Sequence, residues 1–500
     1  MTLAVGATRV TLADVVAVAR DHAPVALAAV ARERVAAARA VVLRLAAGDA
    51  PIYGVNSALG ANTGVRVADA DLADYQRRAV RARAVGVGPA YDRASVRAML
   101  FARICGMAQG GSGVSPAVLD AVVALLNRGV HPQVPRFGSI GVADLPQLSH
   151  LALPLIGEGE AEFGGAVMAG GEALRRAGLA PAALGPKDGL ALISANAATV
   201  GRAALVLAEA LALFDGWLAA IALSCEGFRA NLSPLDPRAT AARPAPGQVD
   251  VAARLVALLD GSALREAGAA RRVQDPLSFR VVAQVQGSLS AALAHARALV
   301  ELELGSAAES PLVVDGAMLS NGNFHVPALA LALDTAAIAL AQAAALGVER
   351  TLRFMTPAFT GLPLQLTRRG PAHSGFATVQ KTLTGLAAEV RQRAQPGSLD
   401  FLPVSEGAED HATMALGCVE KLAESVARVR YIVAFELLVA AQAVDLRGLP
   451  PASLGEGARR AYLQVRRHAA MLDEDRALGP DAERVATALA AGGFAPPPSP

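Results

Sequence analysis

The sequence is poor in cysteine and aromatic residues, and it has no excess of charge of one sign. Its three cysteines, Cys105, Cys225 and Cys418, are far apart and form no CxxC pair. This spacing argues against a zinc site or a disulfide framework and is typical of a cytoplasmic protein, so we expect no metal and a cytoplasmic location. The start of the chain has no charged segment followed by a long apolar core, so no secretory leader is expected. A formal net charge of +2 gives no reason to expect a nucleic-acid partner.

Helical periodicity is what the sequence has in abundance, because apolar residues recur every three or four positions. Thr11 and Ser115 have the residue type of helix N-caps, and Pro116 would fill the first helical position after Ser115. No regular alternation of strands and helices is visible. We therefore predict an all-α protein whose long helices form a central bundle. Helices are predicted at 12–47 with an interruption at Pro24, 92–129, 197–227, 278–307, 326–352, 375–394 and 410–445.

The most apolar stretches, 204–225 and 326–347, each contain acidic residues. We therefore predict core helices of a bundle, covered in an oligomer, and no membrane partner. Within one continuous unit, we predict an N-terminal active-site segment at 1–200 and a central helical bundle at 201–445. C-terminal helices and a disordered tail are expected at 446–500.

Seven short motifs in the chain resemble, in order and spacing, those of the histidine and aromatic amino-acid ammonia-lyase family. Each motif alone is weak, but together they identify the chain as a member. The motifs are PIYGVNSALG (51–60), VRARAVGVG (80–88), GPKDGLALISAN (185–196), QDPLSFRVVAQVQG (274–287), LSNGNFHVPALALALD (319–334), SGFATVQ (374–380) and SLDFLPVSEGAEDHATM (398–414).

The resemblance implies the family's fold, the ammonia-lyase superfold, and its assembly. Members are homotetramers in which long helices form a central bundle. Each active site is built from three subunits and takes a small-molecule substrate. We expect the same assembly and shared sites for this chain.

Several residues match positions that are functional in the family. Tyr53 matches the catalytic tyrosine that transfers a proton. Arg280 matches the arginine that holds the substrate carboxylate, and Glu389 matches the acidic residue that faces the substrate amine or the prosthetic ring. Asn323 and Phe324 match residues that lie beside the electrophile.

The segment GSIGVADL (138–145) departs from the family's GSxGASGDLxPL. In the family, the internal Ala-Ser-Gly cyclises and dehydrates into an electrophilic methylidene-imidazolone ring. Here Val142 and Ala143 stand where three residues are expected, and Asp144 resumes the pattern. Ring formation needs a serine or cysteine that loses water and a glycine whose nitrogen closes the ring. We therefore predict that this cofactor is absent.

Further departures fall around the same site. Leu277 replaces a second tyrosine, and Arg83 replaces the histidine that contacts the substrate side chain in histidine-specific members. Ser194 replaces an asparagine that supports the ring, and we expect Ser194 and the nearby Asn196 beside the substrate. Ala408 replaces a glutamine, so with Leu277 it should make one side of the pocket larger and less polar.

These departures predict an enzyme without the ring. Because amine is a poor leaving group, deamination without the ring would require positioning and a base alone to lower a large share of the activation barrier. We therefore expect base-assisted elimination, conjugate addition, isomerisation or cyclisation on a carboxylate-bearing small molecule. The alternative is a non-catalytic paralogue that binds a ligand or assembles with an active lyase subunit. A third option is a ring formed from another sequence, which would lower the chain's mass by two waters.

Four residues have a structural interpretation beside the functional one. Tyr53 is either a packing residue of its loop or the catalytic acid or base. As a base at neutral pH it needs a nearby cation or helix N-terminus, and Arg83 would supply the cation or bind a second anionic group. Arg83 would otherwise pair with a local carboxylate. Asp144 would cap the helix that follows it, or place a carboxylate where the ring would lie. His325 is either a hydrogen-bonded structural histidine or part of the site.

Overall fold

The structure is a computed structural model that describes residues 2–495 except 49–51, 58–65 and 69–70. Part of the PIYGVNSALG motif (51–60) and the end of the predicted disordered tail lie outside the described residues. The described chain is mostly helical, which confirms the predicted fold class.

The helices largely follow the predicted periodicity. Residues 197–227 lie in one long helix, and most of 326–352 and of 410–445 lie in long helices that begin only at Pro327 and Ala415. The stretch 12–47 is different, because a short strand after Pro24 separates two helices. The helices are α1 (Leu12–Ala19), α2 (Ala29–Ala46), α3 (Leu72–Arg81), α4 (Arg93–Met107), α5 (Pro116–Asn127), α6 (Leu145–Ala152), α7 (Gly170–Arg176), α8 (Asp188–Ile193), α9 (Ala197–Phe228), α10 (Pro237–Ala241), α11 (Gln248–Leu258), α12 (Leu277–Arg280), α13 (Val282–Leu304), α14 (Pro327–Phe354), α15 (Pro357–Thr360), α16 (Val379–Arg393), α17 (Ala415–Arg447), α18 (Glu456–His468) and α19 (Gly479–Ala490).

The strands are short and form small sheets. β1 pairs with β2 in parallel, and β3–β5, β4–β6–β7 and β8–β9 are antiparallel. β5 leads directly into residues 138–144, so its pairing with β3 fixes where that segment begins. The strands are β1 (Leu3–Val5), β2 (Val25–Leu27), β3 (Val87–Ala90), β4 (His131–Pro132), β5 (Pro135–Phe137), β6 (Glu160–Phe163), β7 (Ala166–Ala169), β8 (Leu312–Val314) and β9 (Ala317–Leu319).

The chain divides into two compact units, each assembled from separate stretches of sequence. The boundaries proposed at residues 200 and 445 fall inside α9 and α17, and the three-segment organisation stays a prediction. The first unit comprises residues 1–208, 296–333 and 396–420, and the second comprises 209–295, 334–395 and 421–500.

Two helices of the first unit begin where their capping residues predict. The Thr11 side chain accepts from Asp14 N, and Thr11 N donates to the Asp14 carboxylate at 2.8 Å, which forms a capping box. Ser115 Oγ accepts from Val118 N at 3.4 Å, and Pro116 takes the first helical position. Each cap stabilises its helix by about 1 kcal/mol.

Asp188, the first residue of α8, ties this short helix to two others. Its buried carboxylate accepts from Ser115 N and Gly185 N at 2.8 Å each, and from Arg39 Nη1 at 3.3 Å. Burial raises the pKa of Asp188, while the Arg39 charge and the hydrogen bonds oppose that shift. Because α8 is held at its start, the residues after its last turn, 194–196, have a fixed position.

The second unit contains a buried ion pair between α14 and α17. Arg350 and Glu436 are both fully buried and are joined by two hydrogen bonds of 2.6 and 3.0 Å. Glu436 also accepts from Trp217 Nε1 and Ser224 Oγ, each at 3.0 Å. Arg350 Nη1 donates to Ser278 O at 3.0 Å. Because both charges have several partners, their burial is compensated only while the whole network is intact.

Two helical stretches, Asp188–Phe228 and Pro327–Phe354, are long and apolar enough to cross a membrane by length and composition. Their most apolar windows are 72% and 67% buried inside the protein. Such burial is typical of core helices in a globular protein, which supports the bundle-core interpretation.

His131 on β4 makes the stability of the first unit depend on pH. Its Nδ1 lies 3.1 Å from Glu162 Oε2, and its Nε2 lies 3.4 Å from Arg97 Nη1. Burial lowers the pKa of His131 to about 4, and the neighbouring Arg97 acts in the same direction while Glu162 opposes it. The neutral ring fits this environment, because Nε2 can accept from Arg97 while Nδ1 donates to Glu162.

Acidification should therefore destabilise the protein before the folded histidine is protonated. The contribution of His131 is fully present above pH 6.5 and is lost as the pH falls towards 4, because the unfolded chain takes up a proton first. Between pH 6.5 and 5 the loss should be about 2 kcal/mol. Urea unfolding at pH 7 and 5 measures it, and His131→Gln should reduce the difference. An equal difference in both proteins would contradict the prediction.

Candidate active site

The segment 138–144 is anchored by its last residue, Asp144, which is fully buried. The Asp144 carboxylate accepts from Ser139 Oγ at 2.7 Å, Thr199 N at 2.7 Å and Thr199 Oγ1 at 3.0 Å. Asp144 N donates to Ala195 O at 2.8 Å. Burial raises the pKa of Asp144, and the hydrogen bonds from Thr199 and Ser139 oppose the shift.

Asp144 caps a different helix from the one predicted. It occupies the N-cap position of α6, where its carbonyl accepts from Leu148 N at 2.9 Å, but its side chain makes no capping bond to that helix. The carboxylate instead binds the first turn of α9 at Thr199, where backbone N–H groups have no partner within the helix. The predicted side-chain cap of α6 is therefore wrong, while a carboxylate at the place of the ring stays a prediction.

The backbone of the segment lies against residues 413–414. Met414 N donates to Ile140 O at 2.9 Å, and Thr413 Oγ1 donates to Gly141 O at 3.0 Å. Gly141 has φ +77°, and a Cβ at this position would lie 2.2 Å from Thr413 Oγ1. Only glycine fits there, so the close contact fixes the path of the chain before Val142.

Val142 and Ala143 are the two residues that replace the family's tripeptide. Val142 forms an isolated antiparallel bridge with His325, which joins the segment to the loop before α14. Ala143 has φ +51°, a left-handed conformation that is strained for a residue with a Cβ. The surrounding contacts of Asp144 and Gly141 hold Ala143 in this conformation.

Asn196 lies in the same group of residues and has an unfilled acceptor. Its side chain is buried, and Nδ2 donates to Phe324 O. Its Oδ1 is buried and accepts no hydrogen bond from the described residues. Ser194, which ends α8, is also buried, whereas Asn323 is exposed and donates from its backbone to Asn321 Oδ1 at 2.8 Å. Phe324 is half-buried.

His325 forms a pair with His411. His325 Nε2 lies 2.7 Å from His411 Nδ1, and the ring of Phe401 lies 4.8 Å from that of His411. Burial and the neighbouring His411 lower the pKa of His325, which favours the neutral form of the His325 ring. The backbone bridge to Val142 therefore places His325 at the segment, while its ring pairs with His411.

Tyr53 lies on a short turn, residues 52–57, beside α3. Its side chain is 38% exposed. Gly54, the next residue, has φ +68°, and its carbonyl accepts from Gln76 Nε2 at 3.3 Å. Ile52 N donates to Asn56 Oδ1 at 2.6 Å, which closes the turn. The tyrosine is thus accessible to solvent on a turn held from behind by α3.

Arg83 follows the end of α3 and is half-exposed. Its Nη1 donates to Ala79 O at 3.2 Å, and no carboxylate of the described residues lies within 4 Å of its guanidinium. A Cβ at Gly138 would lie 3.5 Å from Gly86 Cα, so the loop that carries Arg83 meets the start of the 138–144 segment. The predicted pairing with a local carboxylate is not seen among the described residues.

Three predicted residues belong to the second unit. Leu277 is 57% exposed, and Arg280 Nη1 donates to Gln274 Oε1 at 2.9 Å. Glu389 binds Arg428 through a side-chain hydrogen bond, which lowers the pKa of the carboxyl. All three side chains lie at or near the surface of that unit.

Three residues of the site, Ser139, Thr199 and Thr413, were missed by sequence reasoning. Ser139 stands in the GSxG motif, and Thr413 stands in the SLDFLPVSEGAEDHATM motif, so both had a sequence signal. The contacts of Thr413 and Thr199 join residues distant in sequence, and no local pattern reveals them. Among the described residues, no group of three or more histidine, cysteine, aspartate or glutamate side chains is arranged to hold a metal ion.

Comparison with known proteins identifies the class. The family model of aromatic amino acid lyases matches residues 10–467. Histidine ammonia-lyase of Sorangium cellulosum (strain So ce56) is 41% identical over 495 residues, 96% of each chain. That of Anaeromyxobacter sp. (strain K) is 41% identical and covers 99% of each chain.

Solved structures agree across the whole chain. Ergothionase from Treponema denticola has a TM-score of 0.94, 32% identity and 99% coverage of both chains. Tyrosine aminomutase from Streptomyces globisporus has a TM-score of 0.93 and 33% identity, and covers 99% of this chain and 98% of its own. The fold and these matches define an enzyme of the lyase class. The chain belongs to the aromatic amino acid lyase family.

These relatives contradict the function predicted from the sequence. Proteins named histidine ammonia-lyase align with nearly the whole chain, and members of the family act through the ring. The predictions of a cofactor-free cyclase, isomerase or addition enzyme and of a non-catalytic paralogue are therefore wrong. The prediction that the ring plays no part is wrong on the same comparison. It rested on one short segment around Val142 and Ala143.

The segment 138–144 differs in sequence from the usual Ala-Ser-Gly segment of the family. Ser139 carries the only hydroxyl of the segment, and Ile140, not glycine, follows it. That hydroxyl donates to Asp144 at 2.7 Å and accepts from Gly141 N at 3.1 Å, so it supports the fold. The segment does not supply the usual Ala-Ser-Gly tripeptide.

Proposed function

We propose that this protein is an ammonia-lyase that eliminates the amine of an α-amino acid, with L-histidine as the first candidate. Full-length relatives named histidine ammonia-lyase support the reaction and the substrate. In this reaction the Cβ–H and Cα–N bonds break, the Cα=Cβ bond forms, and ammonia leaves. The protein must therefore bind a carboxylate, accept a proton from carbon and hold the amine.

The observation that carries the proposal is the buried Asn196 Oδ1, which accepts no hydrogen bond from the residues that the structure describes. A buried amide oxygen without a donor costs free energy of about 1–3 kcal/mol. A substrate amine offers N–H donors that would satisfy Asn196 Oδ1. The same side chain binds Phe324 O, next to His325 and its bridge to Val142, so the acceptor belongs to the cluster at the 138–144 segment.

The other proposed roles follow the family positions. Tyr53, as its phenolate, takes the β-proton and becomes the phenol, and Arg280 binds the substrate carboxylate. Glu389 keeps its negative charge beside Arg428 and attracts the substrate ammonium. The side chains that would line the pocket around the substrate are those of Leu277, Ser194, Asn323 and Phe324.

Arg83 would determine which amino-acid side chains the enzyme accepts in its substrate. It has no carboxylate partner among the described residues, and its loop meets the start of the 138–144 segment. An unpaired guanidinium at this place favours a substrate with a second anionic or strongly hydrogen-bond-accepting group. A substrate panel should therefore include amino acids with acidic substituents beside L-histidine.

We propose that the sites are shared between subunits of a cytoplasmic homotetramer, as in the family. Along α14, exposed residues recur at helical spacing and include Leu331 at 56% and Ile338 at 41% exposure. Such an apolar stripe on a long helix is suited to contact with another helix. Light scattering of the purified protein measures the assembly, and a monomer would contradict it.

The carboxylate role of Arg280 gives a prediction for binding. Arg280→Met should raise KM by about tenfold or more and change kcat less, because it removes a charge-assisted contact present before the reaction. Arg280→Lys should lie in between, since it keeps the charge and loses the planar fork. Arg238→Met, at an exposed ion pair with Asp236, serves as the matched control and should leave KM unchanged. An unchanged KM in Arg280→Met would exclude the role.

A further inference from the structure

A buried glutamine of α3, Gln76, connects two parts of the candidate site. Its side chain is 1% exposed. Nε2 donates to Gly54 O at 3.3 Å, one residue after Tyr53. Oε1 accepts from Gly189 N at 2.9 Å in the first turn of α8. One side chain thus bridges the turn that carries Tyr53 and the short helix that precedes Asn196.

The orientation of this amide is fixed at both ends. Gly189 N–H is a donor in the first turn of α8, where a backbone N–H has no partner within the helix, so it requires Oε1. The Gly54 carbonyl is an acceptor, so it requires Nε2. A Cβ at Gly189 would lie 2.3 Å from Gln76 O, so α3 and α8 touch through their backbones at this place. A shorter side chain at position 76 would lose the bridge, and a larger residue at 189 would separate the helices.

From α8 the contacts continue to the segment 138–144. Ala195 O accepts from Asp144 N at 2.8 Å, and Asn196 Nδ2 binds Phe324 O. The Tyr53 turn has other anchors as well, because Val67 N donates to Asn56 O at 2.9 Å and Ser57 forms an isolated bridge with Arg66. Val55 is buried against Val42 and Val313, which holds the opposite side of the turn.

We propose that Gln76 is a positioning residue that fixes the position of Tyr53 relative to Asn196. The proposal rests on the proposed function, in which Tyr53 takes a proton from a substrate whose amine Asn196 accepts. Gln76 itself contacts neither the substrate nor the reacting atoms. Its loss should therefore affect the rate of proton transfer and leave substrate binding largely intact.

A double-mutant cycle in the full-length enzyme tests this role. Gln76→Met keeps the size of the side chain and removes both hydrogen bonds. It should lower kcat by about tenfold to 100-fold, with a much smaller change in KM. Combined with Tyr53→Phe, it should cause little further loss, because the two residues act in one step. Additive losses in the double variant would overturn the proposal.

Gln442 in the second unit provides the matched control. It is also buried, and its amide donates to Leu366 O and Leu472 O and accepts from Leu472 N. Gln442→Met should therefore destabilise the protein to a similar extent. Its effect on kcat, if any, should add to that of Tyr53→Phe, whereas the effect of Gln76→Met should not.

Hydrogen exchange separates this proposal from the proposed function. In Gln76→Met without substrate, amides of residues 52–57 should exchange about fivefold faster or more than in wild type. Gln442→Met should leave them unchanged. If wild type releases no ammonia from any amino acid, the proposed function fails and the exchange result alone decides the role of Gln76. Equal exchange in wild type and Gln76→Met would overturn the proposal whatever the activity.

A second variant covers the case in which Gln76→Met does not fold. Gln76→Glu keeps the acceptor for Gly189 N–H, and its protonated form can also donate to Gly54 O. Its kcat relative to wild type should therefore recover as the pH falls, and the ratio of its exchange rates at 52–57 to those of wild type at the same pH should fall in parallel. A ratio of kcat values that does not change with pH would contradict the bridge.

Discussion

Tyr53→Phe should lower kcat by about 100-fold or more and leave KM nearly unchanged. The change removes one hydroxyl and keeps the aromatic ring, so the loss reports on proton transfer and not on packing. A positioned acid or base contributes roughly 100-fold to 10,000-fold to such a step. Tyr53 is 38% exposed on the 52–57 turn, so the fold should tolerate the change. Steady-state ammonia release measures the effect.

Tyr431→Phe is the control for this prediction. Tyr431 lies in the second unit and donates from its hydroxyl to Glu483 at 2.9 Å near the surface. Its loss also removes one tyrosine hydroxyl and one hydrogen bond. A fall in kcat of similar size in both variants would show that Tyr53 has no special part in the reaction.

Glu436→Gln should destabilise the protein by about 3–5 kcal/mol. The substitution removes a buried charge and leaves the Arg350 guanidinium, which is fully buried, without its counter-ion. In the native protein, the two carboxylate oxygens of Glu436 accept four hydrogen bonds from Arg350, Trp217 and Ser224. A glutamine amide has only one oxygen to accept them. A fall in the urea or thermal midpoint measures the loss.

Glu424→Gln on the same helix, α17, provides the matched control. Glu424 is 49% exposed and pairs with Arg393 and Arg428. Exposed pairs contribute about 0–1 kcal/mol, so the midpoint should change little. Replacing Arg350 and Glu436 together with Met and Leu should recover part of the stability, because no unpaired charge remains. Equal effects of Glu436→Gln and Glu424→Gln would contradict the prediction.

Local sequence signals predicted the helices and several of their ends. The capping residues Thr11 and Ser115 act as predicted, because a cap depends on neighbours three residues away. The strand at Val25–Leu27 was missed. It pairs in parallel with Leu3–Val5, a contact across about twenty residues that periodicity does not report.

The candidate site was predicted as a set of residues but not as an arrangement. His325 and Asn196 do meet at the 138–144 segment. Asp144 was assigned to the helix after it, yet its carboxylate binds Thr199, which lies far along the chain. Sequence spacing could not reveal that contact, nor the bridge from Gln76 to Gly54 and Gly189, because both depend on how helices meet.

The function was predicted wrongly because a group of departures around the site was given more weight than the whole chain. Val142 and Ala143 suggested a site rebuilt for another reaction. Relatives 41% identical over 96–99% of the chain point instead to ammonia elimination. Substrate preference at Arg83 and the roles of Arg280 and Glu389 stay predictions that variants can test.

Ammonia release by the purified full-length protein tests the proposed function most directly. The assay uses L-histidine first, then L-tyrosine, L-phenylalanine and amino acids with acidic substituents, and follows ammonia together with the unsaturated acid. We predict equal amounts of both products from at least one of these substrates, and their loss in Tyr53→Phe. A folded protein that releases no ammonia from any of them would contradict the proposed function.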